Sequence, residues 1–146
     1  MIRTATAIWQ GNLKEGKGTL NTENGTLNNT NFTYKSRFQE GEKETNPDEL
    51  LTAALASCFT MEVSGQLTKK GLTQISLNTK AALTMVDKAI TGINLVITGS
   101  VSGINEQDFV AIAKDASKNC IIAKTLSIPV NADAHLVTEL VTSKSL

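Results

Sequence analysis

Charge of either sign in excess is the first thing this sequence lacks: Lys plus Arg and Asp plus Glu each total 14 in 146 residues. No domain-wide basic field exists to gather nucleic acid or an acidic membrane surface. A run of about 18 consecutive apolar residues is also missing. The start, "MIRTATAIWQGN", has no basic segment leading into an apolar stretch and a cleavage site. The expectation is therefore no nucleic-acid partner, no membrane and a cytoplasmic location. Histidine is confined to His135, and cysteine to Cys58 and Cys120, 62 positions apart. That spacing excludes a C-x-x-C redox motif, and these three residues make a poor tetrahedral zinc set. A disulfide framework is not expected without export. Neither G-x-S-x-G nor a phosphate-cradling glycine loop ahead of a helix occurs, so serine hydrolases, kinases and dinucleotide enzymes lack residues to carry them. His135 falls in an expected C-terminal strand, where a structural or surface role outweighs a general base, and a Cys-His hydrolase is discounted too. Two thiols remain, either inert core fillers or a working pair.

The length suits one domain spanning 1–146, burying roughly 70% of the surface its unfolded chain exposes. Residues 3–10 alternate like a strand, and "NLKEGKGTLNTENGTL" carries the Gly and Asn-Gly punctuation of turns between short strands. An antiparallel meander ending near Lys35 is predicted. "SRFQEGEKETN" follows, charged and without a period, and reads as an exposed loop carrying Arg37. Asn46 then stands as a helix N-cap, Pro47 at the first helical position, and Asp48 and Glu49 in the first turn, with Glu49 spaced as in a capping box. From Leu50 to Val63 apolar residues occupy most of the circumference, and a helix of that kind is expected to be buried nearly all round. Lys69, Lys70 and Gly71 mark its end.

The stretch from Leu72 to Gly103 suits a long hairpin that breaks near Asp87 and Lys88. Asn105 caps a second helix, on which Phe109, Ile112, Ala113, Ala116 and Cys120 form one continuous face. A final alternating run after Pro129 reads as a last strand or a frayed tail. Strands, helix, strands, helix, strand is an α+β order rather than a regular βαβ alternation. Covering an all-round apolar helix in so small a chain calls for a second layer from the same chain or, the reading favoured here, a homodimer that wraps two such helices between sheets.

Free cysteine often behaves as a small hydrophobe, so composition alone makes each thiol a packed side chain. Position moves that reading. Both cysteines lie on inward faces of different helices, and one of only two arginines, Arg37, stands in the charged segment just before the first. A thiol attacks only as thiolate, and a nearby guanidinium favours that form, so Arg37 is the candidate to stabilise Cys58, the alternative being a solvated loop residue.

The segments "AIWQGNLKEGKGTLNTENGTL" and "SRFQEGEKETNPDELLTAALASCFTMEVS", with a later helix ending in a second cysteine, resemble the OsmC/Ohr family of osmotically inducible and organic hydroperoxide resistance proteins. The W-x-G-x-L-K-x-G-K-G-T segment and the G-E-K-x-T-N-P loop place the likeness on the OsmC branch, over nearly the whole chain. The resemblance implies antiparallel sheets packed around two central helices in an intertwined homodimer, with active sites at the subunit interface. It implies a thiol peroxidase that reduces organic hydroperoxides and hydrogen peroxide without a metal or organic cofactor. Cys58 resembles the peroxidatic cysteine, Cys120 the resolving cysteine and Arg37 the thiolate-stabilising arginine. The family's acidic partner of that arginine, a Glu directly after Asn-Pro, falls on Asp48, one methylene shorter, with Glu49 next door as a substitute. A second departure is Ile121, Ile122 and Ala123 where the family has Pro-Val-Ser or similar, which puts the turn after Cys120 in question.

In the implied cycle Cys58 attacks the peroxide, Cys120 condenses with the resulting sulfenic acid, and an external dithiol, a lipoylated protein or a thioredoxin-type partner, reduces the disulfide. That bond needs the two Cα atoms within about 7 Å. If the chain is helical from Asp48 to Cys58, ten residues separate them by roughly 15 Å along the axis. Either Arg37 bridges the gap, the helix is interrupted, or Arg37 and Asp48 come from the other subunit, which the all-round apolar helix favours. Leu51, Leu55, Phe59, Ile121 and Ile122 are the expected apolar lining, which favours alkyl or fatty-acid hydroperoxides over hydrogen peroxide. Two rival functions keep the same fold: a non-catalytic redox sensor that signals through the disulfide, and a stress protein that binds a small hydrophobic ligand.

Overall fold

Strands β1 (Ala5–Gln10), β2 (Lys17–Thr22) and β3 (Thr30–Phe32) pair antiparallel in chain order in the computed structural model, which describes residues 1–140. One domain is expected from length; the contacts gather into two compact units, Met1–Leu51 and a second that starts at Thr52. In the first unit, Asn12 closes the β1–β2 turn, its Oδ1 accepting from the N–H groups of Lys14 and Glu15. Gly18 pairs with Phe32 in register, and the Phe32 ring lies where a Cβ on Gly18 would stand. The same ring meets Trp9, centroids 5.6 Å apart.

The meander ends earlier than the sequence suggests, and part of the expected loop is a helix. α1 (Tyr34–Phe38) holds Arg37, because Thr33 and Ser36 form a capping box: Thr33 Oγ1 accepts from the Ser36 N–H, and Ser36 Oγ accepts from the Thr33 N–H. Gln39 to Glu42, beyond it, are exposed.

α2 (Pro47–Lys69) is one unbroken helix. Asn46 Oδ1 accepts from the Glu49 N–H as expected of the cap, whereas the Glu49 carboxylate accepts from Thr45 Oγ1 instead of closing a capping box. At the other end Gly71, at φ +83°, lets the Leu72 N–H reach back to the Leu67 carbonyl. Burial all round is not observed within the single chain. Leu55, Phe59, Val63 and Leu67, each four residues on, are fully buried, while Ala53, Ala54 and Met61 are exposed, Met61 to 74%. Side chains four apart share one face, and only that face meets the core of the second unit. α2 is also long and apolar enough, by length and composition, to cross a membrane.

The second unit continues with β4 (Ile75–Val86), β5 (Ala89–Val101), α3 (Glu106–Asn119), a 3₁₀ turn (Ala123–Thr125) and β6 (Val130–Leu136). The hairpin breaks where expected, at Asp87 and Lys88, both with positive φ. Its sheet runs β4-β5-β6, and β6 lies parallel to β5, so the sheet is mixed rather than wholly antiparallel. Ile93, Leu95 and Ile97 alternate inward along β5 to meet the buried stripe of α2 and the Phe109, Ile112, Ala113 and Ala116 face of α3. Phe109 packs against Gly99, where a Cβ would be 2.6 Å from its ring. Asn105 caps α3 through its Oδ1, as the sequence predicts.

Candidate active site

The four expected site residues form two pairs, one in each unit. In the first unit, Arg37 Nε donates to Asp48 Oδ2 and Nη2 to Oδ1, both at 3.0 Å. The shorter Asp reaches the guanidinium, and Glu49 stays with Thr45. Local hydrogen bonds set this reach. Ser36 Oγ bonds the Thr45 carbonyl at 2.9 Å, and Asn46 Nδ2 donates to the Ser36 carbonyl at 2.9 Å, so α1 is tied to the residues that open α2. Asn46 thus caps α2 with its oxygen and holds α1 with its nitrogen. The guanidinium carbon also stands 5.4 Å from the centre of the Phe38 ring. Ser36 and Asn46 were not among the expected site residues. The Thr-x-x-Ser spacing that caps α1 was readable, but the partners beyond it were not.

In the second unit, Cys58 sits half-buried on α2, one position before the buried Phe59, and Cys120 closes α3 with no exposed surface. Both are free thiols. At Cys120 the chain turns from helix to extended backbone, φ −63° and ψ 148°, and its own N–H still bonds the Ala116 carbonyl at 3.0 Å. The turn that the missing Pro-Val-Ser put in question does form. The Lys124 N–H reaches the Cys120 carbonyl at 3.1 Å, and both the N–H and the hydroxyl of Thr125 bond the Ile122 carbonyl. This turn presents the Ile122 N–H to Cys58 Sγ at 3.5 Å, a contact that side-chain identities could not reveal.

Burial is the main cause that pushes the Cys120 thiol above its ordinary 9.0. A hydrogen bond from the Ala123 N–H opposes it; a hydrogen bond and charge repulsion with Cys58, and the charge of Glu62, reinforce it. Burial thus favours the protonated form of Cys120. Glu62 lies one helical turn beyond Cys58, and the Gln66 amide ties it to Asp115 of α3, with bonds of 3.0 and 2.7 Å.

Of the expected apolar lining, Leu55 and Phe59 are fully buried core residues, Leu51 and Ile122 are half-buried, and Ile121 is 77% exposed beside Cys120. His135, 61% exposed at its side chain, lies 3.8 Å from Glu106 and takes no part in either pair.

A family model described as OsmC-like protein matches residues 40–134. The chain is 41% identical over 134 residues to "Peroxiredoxin OsmC" of Escherichia coli strain K12, covering 89% of this chain and 93% of that protein. The same figures hold for "Peroxiredoxin OsmC" of Shigella flexneri. Among solved structures, an OsmC-like protein from Mycoplasma pneumoniae superposes with a TM-score of 0.66 at 18% identity, covering 94% of this chain and 98% of that one. The organic hydroperoxide resistance protein OhrB of Bacillus subtilis gives 0.62 at 18% identity, covering 92% and 98%. At such identities the two structures speak for a shared fold.

Proposed function

The chain belongs to the OsmC-like family, and on that premise we propose that it is a cysteine-based peroxidase whose substrates are organic hydroperoxides. One observation carries the assignment of roles: Cys58 on α2 is half-buried, whereas Cys120 at the end of α3 is wholly buried in the core that Cys58 packs against. A thiolate is the attacking form, and the thiol that peroxide can approach is Cys58. Its sulfur attacks one peroxide oxygen and the O–O bond breaks. The leaving alkoxide takes a proton and departs as alcohol, leaving Cys58 as sulfenic acid. Cys120 sulfur then displaces the sulfenic oxygen, giving a Cys58–Cys120 disulfide and water, the thiol proton leaving with the oxygen. An external dithiol, lipoylated or of thioredoxin type, returns both cysteines to thiols by exchange and is itself oxidised.

Arg37 and Asp48 serve the same reaction as thiolate stabiliser and its anchor. Their bidentate geometry supports this, since a guanidinium gripped by a carboxylate is held in one orientation. We assign the pair that serves one Cys58 to the second copy of a homodimer. The open side of α2, with Ala53, Ala54 and Met61, supports such a partner, and the continuity of α2 removes an interrupted helix from the alternatives. A monomer with full peroxidase activity would sink this assignment. The exposed Ile121 beside the cysteines favours an alkyl chain on the substrate.

The decisive experiment measures peroxide consumption with dithiothreitol or a dihydrolipoyl donor for the unchanged chain, Cys58→Ser and Cys120→Ser. Activity vanishes at Cys58→Ser, and Cys120→Ser loses multiple turnover and over-oxidises at Cys58. Equal activity in all three would overturn the reading.

A further inference from the structure

We propose that the main-chain N–H of Ile122 is a catalytic group: it holds the negative charge of the Cys58 sulfur, so that the turn after Cys120 is part of the reactive centre. The inference rests on the peroxidase reading for what Cys58 does, and on independent geometry for how its charge is held. The Ile122 N–H stands 3.5 Å from Cys58 Sγ, a hydrogen-bonding distance for sulfur.

Backbone accounting explains why this donor is there. Every buried N–H needs an acceptor. Where the chain leaves α3 at Cys120 it turns extended, and the amides that open the next turn no longer follow a helical carbonyl ladder. That of Ile122 finds its acceptor in the sulfur of the neighbouring helix. Donor position is fixed from both sides: the Lys124 N–H holds the Cys120 carbonyl, and Thr125 holds the Ile122 carbonyl at 2.7 Å through its hydroxyl and 3.0 Å through its N–H.

A donor to a thiolate favours the charged form, so removing it shifts reactivity to higher pH. The titratable groups whose charge acts on Cys120 are Cys58 itself and Glu62, one turn along α2. Neither is altered when the peptide bond before Ile122 is replaced by an ester, which deletes the N–H and keeps the side chain. Ile122→Pro deletes it as well, at a position whose φ of −69° already suits proline. Ile122→Ala keeps the N–H and removes the apolar side chain.

The test is iodoacetamide alkylation of Cys58 against pH, in a Cys120→Ser background so that one thiol reports. The ester variant alkylates about tenfold more slowly at pH 7 and recovers the full rate at high pH, the effect of roughly one unit in the midpoint, whereas Ile122→Ala keeps the original midpoint. An ester profile that overlays the parent, or an Ile122→Ala shift as large as that of the ester, overturns the proposal. The ester decides the outcome whether or not the proline variant folds. Peroxide consumption by the unchanged chain is measured alongside: its absence defeats the peroxidase reading and leaves the alkylation result to judge the amide.

Discussion

Arg37 and Asp48 meet through two parallel N–H···O bonds of 3.0 Å, with the carboxylate side chain 13% exposed and the guanidinium 39% exposed. Fork geometry of this kind fixes direction as well as distance, and a Lys ammonium cannot reproduce it. An arginine this open contributes little to folding, about 1 kcal/mol or less.

Arg37→Lys therefore separates positioning from stability. Urea unfolding should shift by no more than about 1 kcal/mol. Steady-state kcat/KM for an alkyl hydroperoxide should fall about tenfold or more, the scale of one lost charge-assisted hydrogen bond. Unchanged kcat/KM would remove Arg37 from the reaction.

Stability should depend on pH through Cys120. The thiol is raised above 9.0 in the folded chain, first by burial, so the native state binds its proton more tightly than the unfolded state does. That contribution is complete below pH 9.0 and is lost as pH climbs through the raised folded value. Denaturation of the reduced protein from pH 7 to 11, compared with Cys120→Ala, should show the difference between the two shrinking above pH 9.

The capping box of α1 offers a test of how Arg37 is placed. Ser36→Ala leaves the Thr33 N–H and the Thr45 carbonyl without their hydroxyl partner, a loss of about 1–3 kcal/mol for buried polar groups. Peroxidase activity should fall with it, because α1 carries Arg37. Full activity in a destabilised Ser36→Ala protein would show that Arg37 does not need this helix.

Two substitutions on α2 should have opposite signatures. Phe59 is wholly buried, and Phe59→Ala should lower stability by about 3–5 kcal/mol. Met61 is 74% exposed in the single chain. If the proposed homodimer packs on the open side of α2, Met61→Glu should leave the fold of the chain intact yet shift sedimentation from dimer to monomer, since a charge buried in that contact would be left unpaired.

Much of the fold was legible because its signals are local. Asn46, Asn105, Gly71 and the Asp87–Lys88 break each act within a few residues, and the structure keeps all four. On α2 the sequence speaks of need and the single chain answers only part of it. Apolar composition states that a surface needs covering, whereas the chain itself covers only the face of Leu55, Phe59, Val63 and Leu67. α1 was missed because five residues are too few for a period, and its capping box lies in a stretch dominated by charge. At the site, side-chain types pointed to Arg37, Cys58 and Cys120, and the family likeness added Asp48; the structure bonds Arg37 to Asp48 and packs Cys58 against the core that holds Cys120. The Ile122 amide had no such signal, since every residue but proline carries one.

The distance in sequence between the two cysteines has a consequence of its own. Joining Cys58 to Cys120 in the proposed cycle closes a loop of 62 residues, which removes chain entropy from the unfolded state worth about 4 kcal/mol. Each turnover would then carry the protein between a looser dithiol and a stapled disulfide form. Melting temperature becomes a gauge of oxidation state, and a protein caught mid-cycle resists heat and proteases better than one that is fully reduced.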